Sequence, residues 1–160
     1  ELLNIPILYL SRYIIKYKAD YYRLLQSVRE TGEWEEWVLY ILEGVEQTSK
    51  ETIDLIVNIR KLMQQYKKDI RKKMPKVYSQ DLLNNLFRHP YTKIDFVKRD
   101  LQVSKLTARR YLDLLVTNGF LRKEKIGRSN FYINEPLFSI FIGPPIKVQE
   151  TEPIKTVNPI

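Results

Sequence analysis

Val103-Ser-Lys-Leu-Thr-Ala-Arg-Arg-Tyr-Leu-Asp-Leu-Leu-Val116, followed after Thr117 by Asn118-Gly119-Phe120-Leu121 and then by Lys123-Glu-Lys-Ile-Gly127-Arg-Ser-Asn-Phe-Tyr-Ile133, holds a helix, a stop and a hairpin in one run. Ser104 stands just before a helical pattern, where its hydroxyl accepts from the orphan N–H groups of the first turn. Ala108, Tyr111, Leu112 and Leu115 recur at helical spacing as one apolar stripe, and Lys105, Thr107, Arg109 and Arg110 stand largely off it. The spacing predicts a helix with a core face and a basic face. Asn118-Gly119 ends it, because glycine enters the left-handed conformation without a Cβ penalty. A strand over 121–126, a turn over 127–130 and a strand over 131–133 then make a two-stranded hairpin.

Upstream, Ser79-Gln-Asp-Leu-Leu-Asn-Asn-Leu-Phe87 and Ile94-Asp-Phe-Val-Lys-Arg-Asp-Leu101 supply two more helices, and His89 is placed at the end of the first. Helix, helix-turn-helix and hairpin in this order are the plan of a winged-helix domain over 76–142. Before it, Thr48-Ser-Lys-Glu51 has the form of a capping box, and Ile53, Ile56, Met63, Tyr66, Ile70 and Met74 follow at threes and fours. This predicts a linking helix over 48–75 of about seven turns at 3.6 residues each. Its narrow seam suits a spacer or a homodimer arm. Pro75 ends it, and the basic cluster from Lys67 to Lys73 is accounted for by the helix dipole, with no ligand.

Residues 1–47 read as further helices. Asn4-Ile5-Pro6 suits a helix start, a break is expected near Lys18-Ala19-Asp20, and Thr31-Gly32-Glu33 interrupts before Trp34 and Trp37, both expected in a core. The fold class predicted is therefore mainly α: a helical bundle segment joined by a long helix to a winged helix-turn-helix domain with a small β-hairpin. Residues 143–160, with four prolines, read as an extended tail without an assigned function.

Net charge is +8, and most of it falls between residues 75 and 142, where 12 Lys and Arg stand against 6 Asp and Glu. That is the footprint expected of a phosphate-binding surface, and equally of ordinary surface solvation. No cysteine is present, which excludes disulfides and cysteine zinc sites and permits a reducing compartment, so a cytoplasmic location is expected. No apolar run approaches the roughly 20 residues that span a bilayer, so no membrane partner is expected. The chain starts at Glu1 with Leu2, Leu3, Ile5 and Ile7 close behind, and the expectation is of a piece of a longer protein.

Pro6-Ile-Leu-Tyr9-Leu-Ser11-Arg-Tyr13, Lys18-Ala-Asp-Tyr21-Tyr22-Arg-Leu-Leu-Gln26 and Arg29-Glu-Thr-Gly32-Glu-Trp34-Glu-Glu-Trp37 resemble the stretch that follows the catalytic motif in Fic-family proteins. The C-terminal winged helix is similar to a module that many bacterial members carry. The resemblance implies a parent that transfers AMP from ATP to a protein hydroxyl with magnesium, through a motif of the form His-Pro-Phe-x-(Asp/Glu)-Gly-Asn-Gly-Arg. This chain has no such run: His89-Pro90-Tyr91 is followed by Thr92-Lys93, and no glycine lies between Gly44 and Gly119. The expectation is that the catalytic core lies upstream as a missing partner, that this chain holds neither ATP nor magnesium, and that it is not an enzyme by itself. For the parent, the resemblance implies that Tyr21 and Tyr22 match an aromatic pair at the adenine wall; Arg29 stands where some relatives carry Asn.

Two readings of the C-terminal part stand. In one, the second helix of the helix-turn-helix enters the major groove of duplex DNA, with Lys105, Thr107, Arg109 and Arg110 toward phosphates and base edges and Lys123, Lys125 and Arg128 of the wing on the flanking backbone. In the other, Arg109 pairs with Asp113 and the domain is a protein-interaction or dimerisation surface with no nucleic-acid contact.

Overall fold

A computed structural model describes residues 9–142, so the predicted helix start at Asn4-Ile5-Pro6 and the tail from residue 143 lie outside the described residues. The order of elements is α1 (Leu10–Lys16), α2 (Lys18–Thr31), α3 (Glu35–Lys73), α4 (Gln80–Arg88), β1 (Tyr91–Thr92), α5 (Ile94–Leu101), α6 (Lys105–Thr117), β2 (Arg122–Ile126), β3 (Ser129–Ile133) and α7 (Glu135–Ile142). The chain is mainly helical, as predicted. It divides into two compact units at Asp54–Leu55, inside α3.

The first unit holds α1, α2 and the beginning of α3. The predicted break falls at Tyr17, and Gly32, with φ of 75°, ends α2 in the left-handed conformation. Tyr13, Leu24 and Tyr40 are buried, with Tyr17, Tyr21, Trp37 and Ile41 packed against them. Gly44 lies inside α3 for a steric reason: a Cβ there would sit 2.7 Å from Tyr13 Cδ1. Burial, with Glu43 nearby, pushes the Tyr13 phenol up to about 12. Of the two tryptophans expected in the core, only Trp37 packs. Trp34 precedes the first turn of α3 and is exposed.

The capping box at Thr48 is a second correction. α3 is one helix of 39 residues that starts at Glu35, and Thr48 is a buried residue within it, its carbonyl accepting from Thr52 Oγ1 at 2.7 Å. Nothing from Glu35 onward breaks the helix, so the Thr-x-x-Glu pattern lies in the interior, where its backbone donors are already used.

The second unit runs from Leu55. Tyr66 and Ile70 of α3 and Met74, just past its end, form one core with Leu82, Leu83 and Leu86 of α4, Val97 of α5, Ala108, Leu112 and Leu115 of α6, and Tyr132 of β3. Ser79 caps α4 by accepting from the Leu82 N–H at 3.0 Å. The wing has three strands rather than two. Tyr91 and Thr92 pair antiparallel with Ile133 and Tyr132, giving the order β1-β3-β2. A two-residue strand next to Pro90 has too little periodicity to be read from sequence. The hairpin turn is also tighter than predicted: Ile126 pairs with Ser129, so only Gly127 and Arg128 lie between the strands. Gly127, at φ 59°, supplies the positive φ that such a turn requires.

Asn134, only 1% exposed, joins these parts. Its Oδ1 accepts from the Leu137 N–H in the first turn of α7 and lies 3.0 Å from the Tyr66 hydroxyl, which is also 2.9 Å from the Phe120 carbonyl. Its Nδ2 donates to the Leu86 carbonyl. Burial pushes the Tyr66 phenol up to about 12, with Glu135 adding to the shift.

Candidate nucleic-acid interface

α5 and α6 meet through a turn at Gln102, whose φ of 53° is the one positive value at a non-glycine residue among the described residues. The Gln102 and Val103 N–H groups both donate to the Lys98 carbonyl, which holds the turn without glycine. α6 then starts with the predicted cap: Ser104 Oγ accepts from the Thr107 N–H at 3.1 Å. Ala108, Leu112 and Leu115 are buried, so helical periodicity turns Leu106, Arg110, Asp113 and Thr117 to the opposite side.

Three of the seven predicted interface residues are engaged within the fold. Thr107 is half-buried, and its hydroxyl lies 2.9 Å from that of Ser104. Arg109 Nε lies 3.6 Å from Asp113 Oδ2, and Lys123 Nζ donates to Asp113 Oδ1 at 2.9 Å. The Tyr132 hydroxyl donates to the same oxygen at 3.3 Å. Partial burial works to raise the Asp113 pKa. The hydrogen bond and charge of Lys123, helped by Tyr132 and Arg109, still hold it below the usual carboxylate range.

The other four, Lys105, Arg110, Lys125 and Arg128, are exposed, and none of them forms an ion pair among the described residues. Lys123 pairs across the hairpin with Tyr132 and Lys125 with Asn130, so strand alternation puts both lysines on the sheet face that carries Tyr132. Arg128 lies in the turn. Leu106, 79% exposed at the second position of α6, was missed by the sequence reading. Its signal was available in the helical phase set by Ala108, Leu112 and Leu115.

Beside β1 lies a cleft of about 140 Å³, lined by residues of α4, β1 and α5. Thr92 Oγ1 donates to Asn85 Oδ1 at 2.7 Å, and Asn85 Nδ2 donates to Asp100 Oδ2 at 2.8 Å. Arg88 donates to the same Asp100 oxygen at 3.2 Å, and Arg99 Nε to Asp100 Oδ1 at 2.8 Å. The Arg99 hydrogen bond, helped by Asn85 and Arg88 and opposed by burial, holds Asp100 below the usual carboxylate range. His89 follows α4 as its C-cap, where the sequence placed it.

In the first unit, Tyr21 packs 5.1 Å from Trp37, while Tyr22 is 56% exposed and meets Tyr21 edge-on at 5.4 Å. Tyr22 is the more exposed of the pair, with Lys18 Nζ 5.8 Å from its ring centroid.

Residues 62–137, from the middle of α3 into α7, match the family model described as the C-terminal domain of SoFic-like protein adenylyltransferases. Over this stretch the chain is similar to the C-terminal domain of Fic-family protein adenylyltransferases. The match takes in α4, α5, α6 and all three strands, and therefore both the α6 face and the cleft. Among the described residues no three or more His, Asp or Glu side chains gather as ligands, and Gly32, Gly44, Gly119 and Gly127 stand in separate elements rather than in one phosphate-cradling loop. Nor is any helix among the described residues long and apolar enough to cross a membrane.

Proposed function

We propose that this chain is a non-catalytic binding module of a protein AMP transferase, and that the face made by α6 and the wing binds duplex DNA. The observation that carries the DNA reading is the set of four exposed cations, Lys105 and Arg110 on α6 and Lys125 and Arg128 on the hairpin, that pair with no carboxylate among the described residues while Asp113 is already neutralised by Lys123 and Arg109. Phosphate contacts from a helix and an adjoining wing fix a protein on a duplex, and the base edges are then read by the residues between them. AMP transfer belongs to the parent, and no step of it is routed through these residues.

Titration of a short duplex at several salt concentrations tests the DNA reading. Each phosphate neutralised contributes about −0.9 to the slope of log affinity against log salt, so four cations predict a total of roughly −3 to −4. Substituting Lys105 and Arg110 together should reduce that slope by roughly 2. A second reading, docking of a protein partner, is favoured by Leu106 and by Ile126, both exposed on this part of the fold. Absence of duplex binding at low salt would leave only that reading. Transfer of labelled AMP to a protein by this chain alone would overturn the non-catalytic part.

A further inference from the structure

The sheet has a second face, and it is chemically distinct from the first. Pairing puts Thr92, Tyr132 and Lys123 on one side, and alternation puts Tyr91, Phe131 and Ile133 on the other. Tyr91 keeps 41% of its surface exposed, although it meets Phe131 at 5.4 Å and lies within 25° of parallel to His89 at 6.2 Å. Cations border these rings. Lys93 Nζ is 4.1 Å from the Phe131 centroid, and the Arg99 guanidinium is 5.6 Å from that of Phe96.

Tyr91, His89 and Phe96 also line the cleft beside β1, together with Arg88 and Arg99. At about 140 Å³ it is close to the roughly 150 Å³ that accepts one benzene ring, so it has room for a single ring. Asp100 takes one N–H from each arginine, and a guanidinium carries five, so each retains donors. Two positive charges against one negative leave the cleft positive. Lys93, over the Phe96 and Phe131 rings, forms no ion pair among the described residues.

We propose that this cleft, with Tyr91 as its stacking ring, binds one nucleotide of a single-stranded nucleic acid, its base against Tyr91 and its phosphates on Arg88 and Arg99. A single strand presents both complements, open base faces and a phosphate chain. A duplex hides its base faces, and an acidic peptide offers charge without stacking rings. The site lies at the β1 edge of the sheet, with Tyr91 on the face opposite to Lys123 and Lys125, and does not depend on the duplex reading.

The test is anisotropy of a labelled oligothymidylate of about ten nucleotides titrated with the full chain at low salt, each variant being checked for an unchanged melting temperature. Loss of one stacked base predicts that Tyr91→Ala weakens binding by about tenfold, while Tyr91→Phe, which keeps the ring, binds like the wild type. Arg88→Gln should weaken binding and make the salt dependence shallower. Three results would overturn the proposal: no binding of the oligothymidylate, equal binding by wild type and Tyr91→Ala, or displacement by polyglutamate as effective as by unlabelled oligothymidylate at equal charge. The last would assign the cleft to an acidic peptide.

Discussion

The two compact units bury their apolar residues in different ways. In the second, Leu82, Leu86, Val97, Leu112 and Leu115 from three helices are closed off from solvent in one core with Tyr132 of the sheet. In the first, the buried apolar set is small, Tyr13 and Tyr40 with Leu24 and Val28, and large apolar residues of the same helices, Val38, Leu39 and Leu42, stay exposed. Aliphatic side chains from several directions make a core in which each residue matters. Rings stacked between three helix segments make one that tolerates loss at its rim.

Truncation sharpens the contrast most. Leu112→Ala should destabilise the second unit by about 3 kcal/mol, within the range for leucine cavities in a close-packed core. Leu42→Ala, at a site 57% exposed, should cost no more than about 0.5 kcal/mol. Denaturation followed by hydrogen exchange reads both, and equal effects would break the comparison. Next in size is Asn134→Leu, which fills the space but leaves the Leu86 carbonyl and the Leu137 N–H without their partner. A loss of about 2 kcal/mol in the second unit is expected, with slowed exchange lost first in α7.

Gly44→Ala should act on the first unit alone. Overpacking against the Tyr13 ring costs about 1–3 kcal/mol, and the helix preference of alanine returns about 1 kcal/mol, so a net loss of about 1 kcal/mol is expected. Near-ultraviolet circular dichroism of the tyrosines would show it, and an unchanged spectrum would mean that α1 yields freely. The smallest effect is that of acid. Asp100 and Asp113 are held low in the folded state, so their contribution is fully present above the unfolded carboxylate value near 3.9 and is lost as pH falls through the folded values. The second unit should therefore weaken below about pH 4, and Asp100→Asn should flatten that dependence in a pH series of melting curves.

Much of the second unit was legible beforehand because its signals are local. A cap at Ser104, a stop at Asn118-Gly119 and a stripe at Ala108, Leu112 and Leu115 each state their own geometry within a turn or two. The misread capping box has a physical cause: the Thr48 pattern is a local signal overridden by a helix already running from Glu35. The left-handed Gln102 carries no glycine to announce its turn. At the candidate interface the residue types and the local Arg109–Asp113 pair were readable, but the long-range pairings were not. Asp113 lies ten residues from Lys123 and nineteen from Tyr132, and only folding brings the three together.

By itself, the order of residues determined the helix-turn-helix, the hairpin and the concentration of positive charge near them, because hydrogen-bond capping and apolar periodicity act between neighbours along the chain. Tertiary structure alone decided which cations stay free and which are neutralised. It also closed β1 onto β3 and so put Tyr91 beside Arg88 and Arg99, since strand pairing and ion pairing depend on distances through space that sequence separation does not encode.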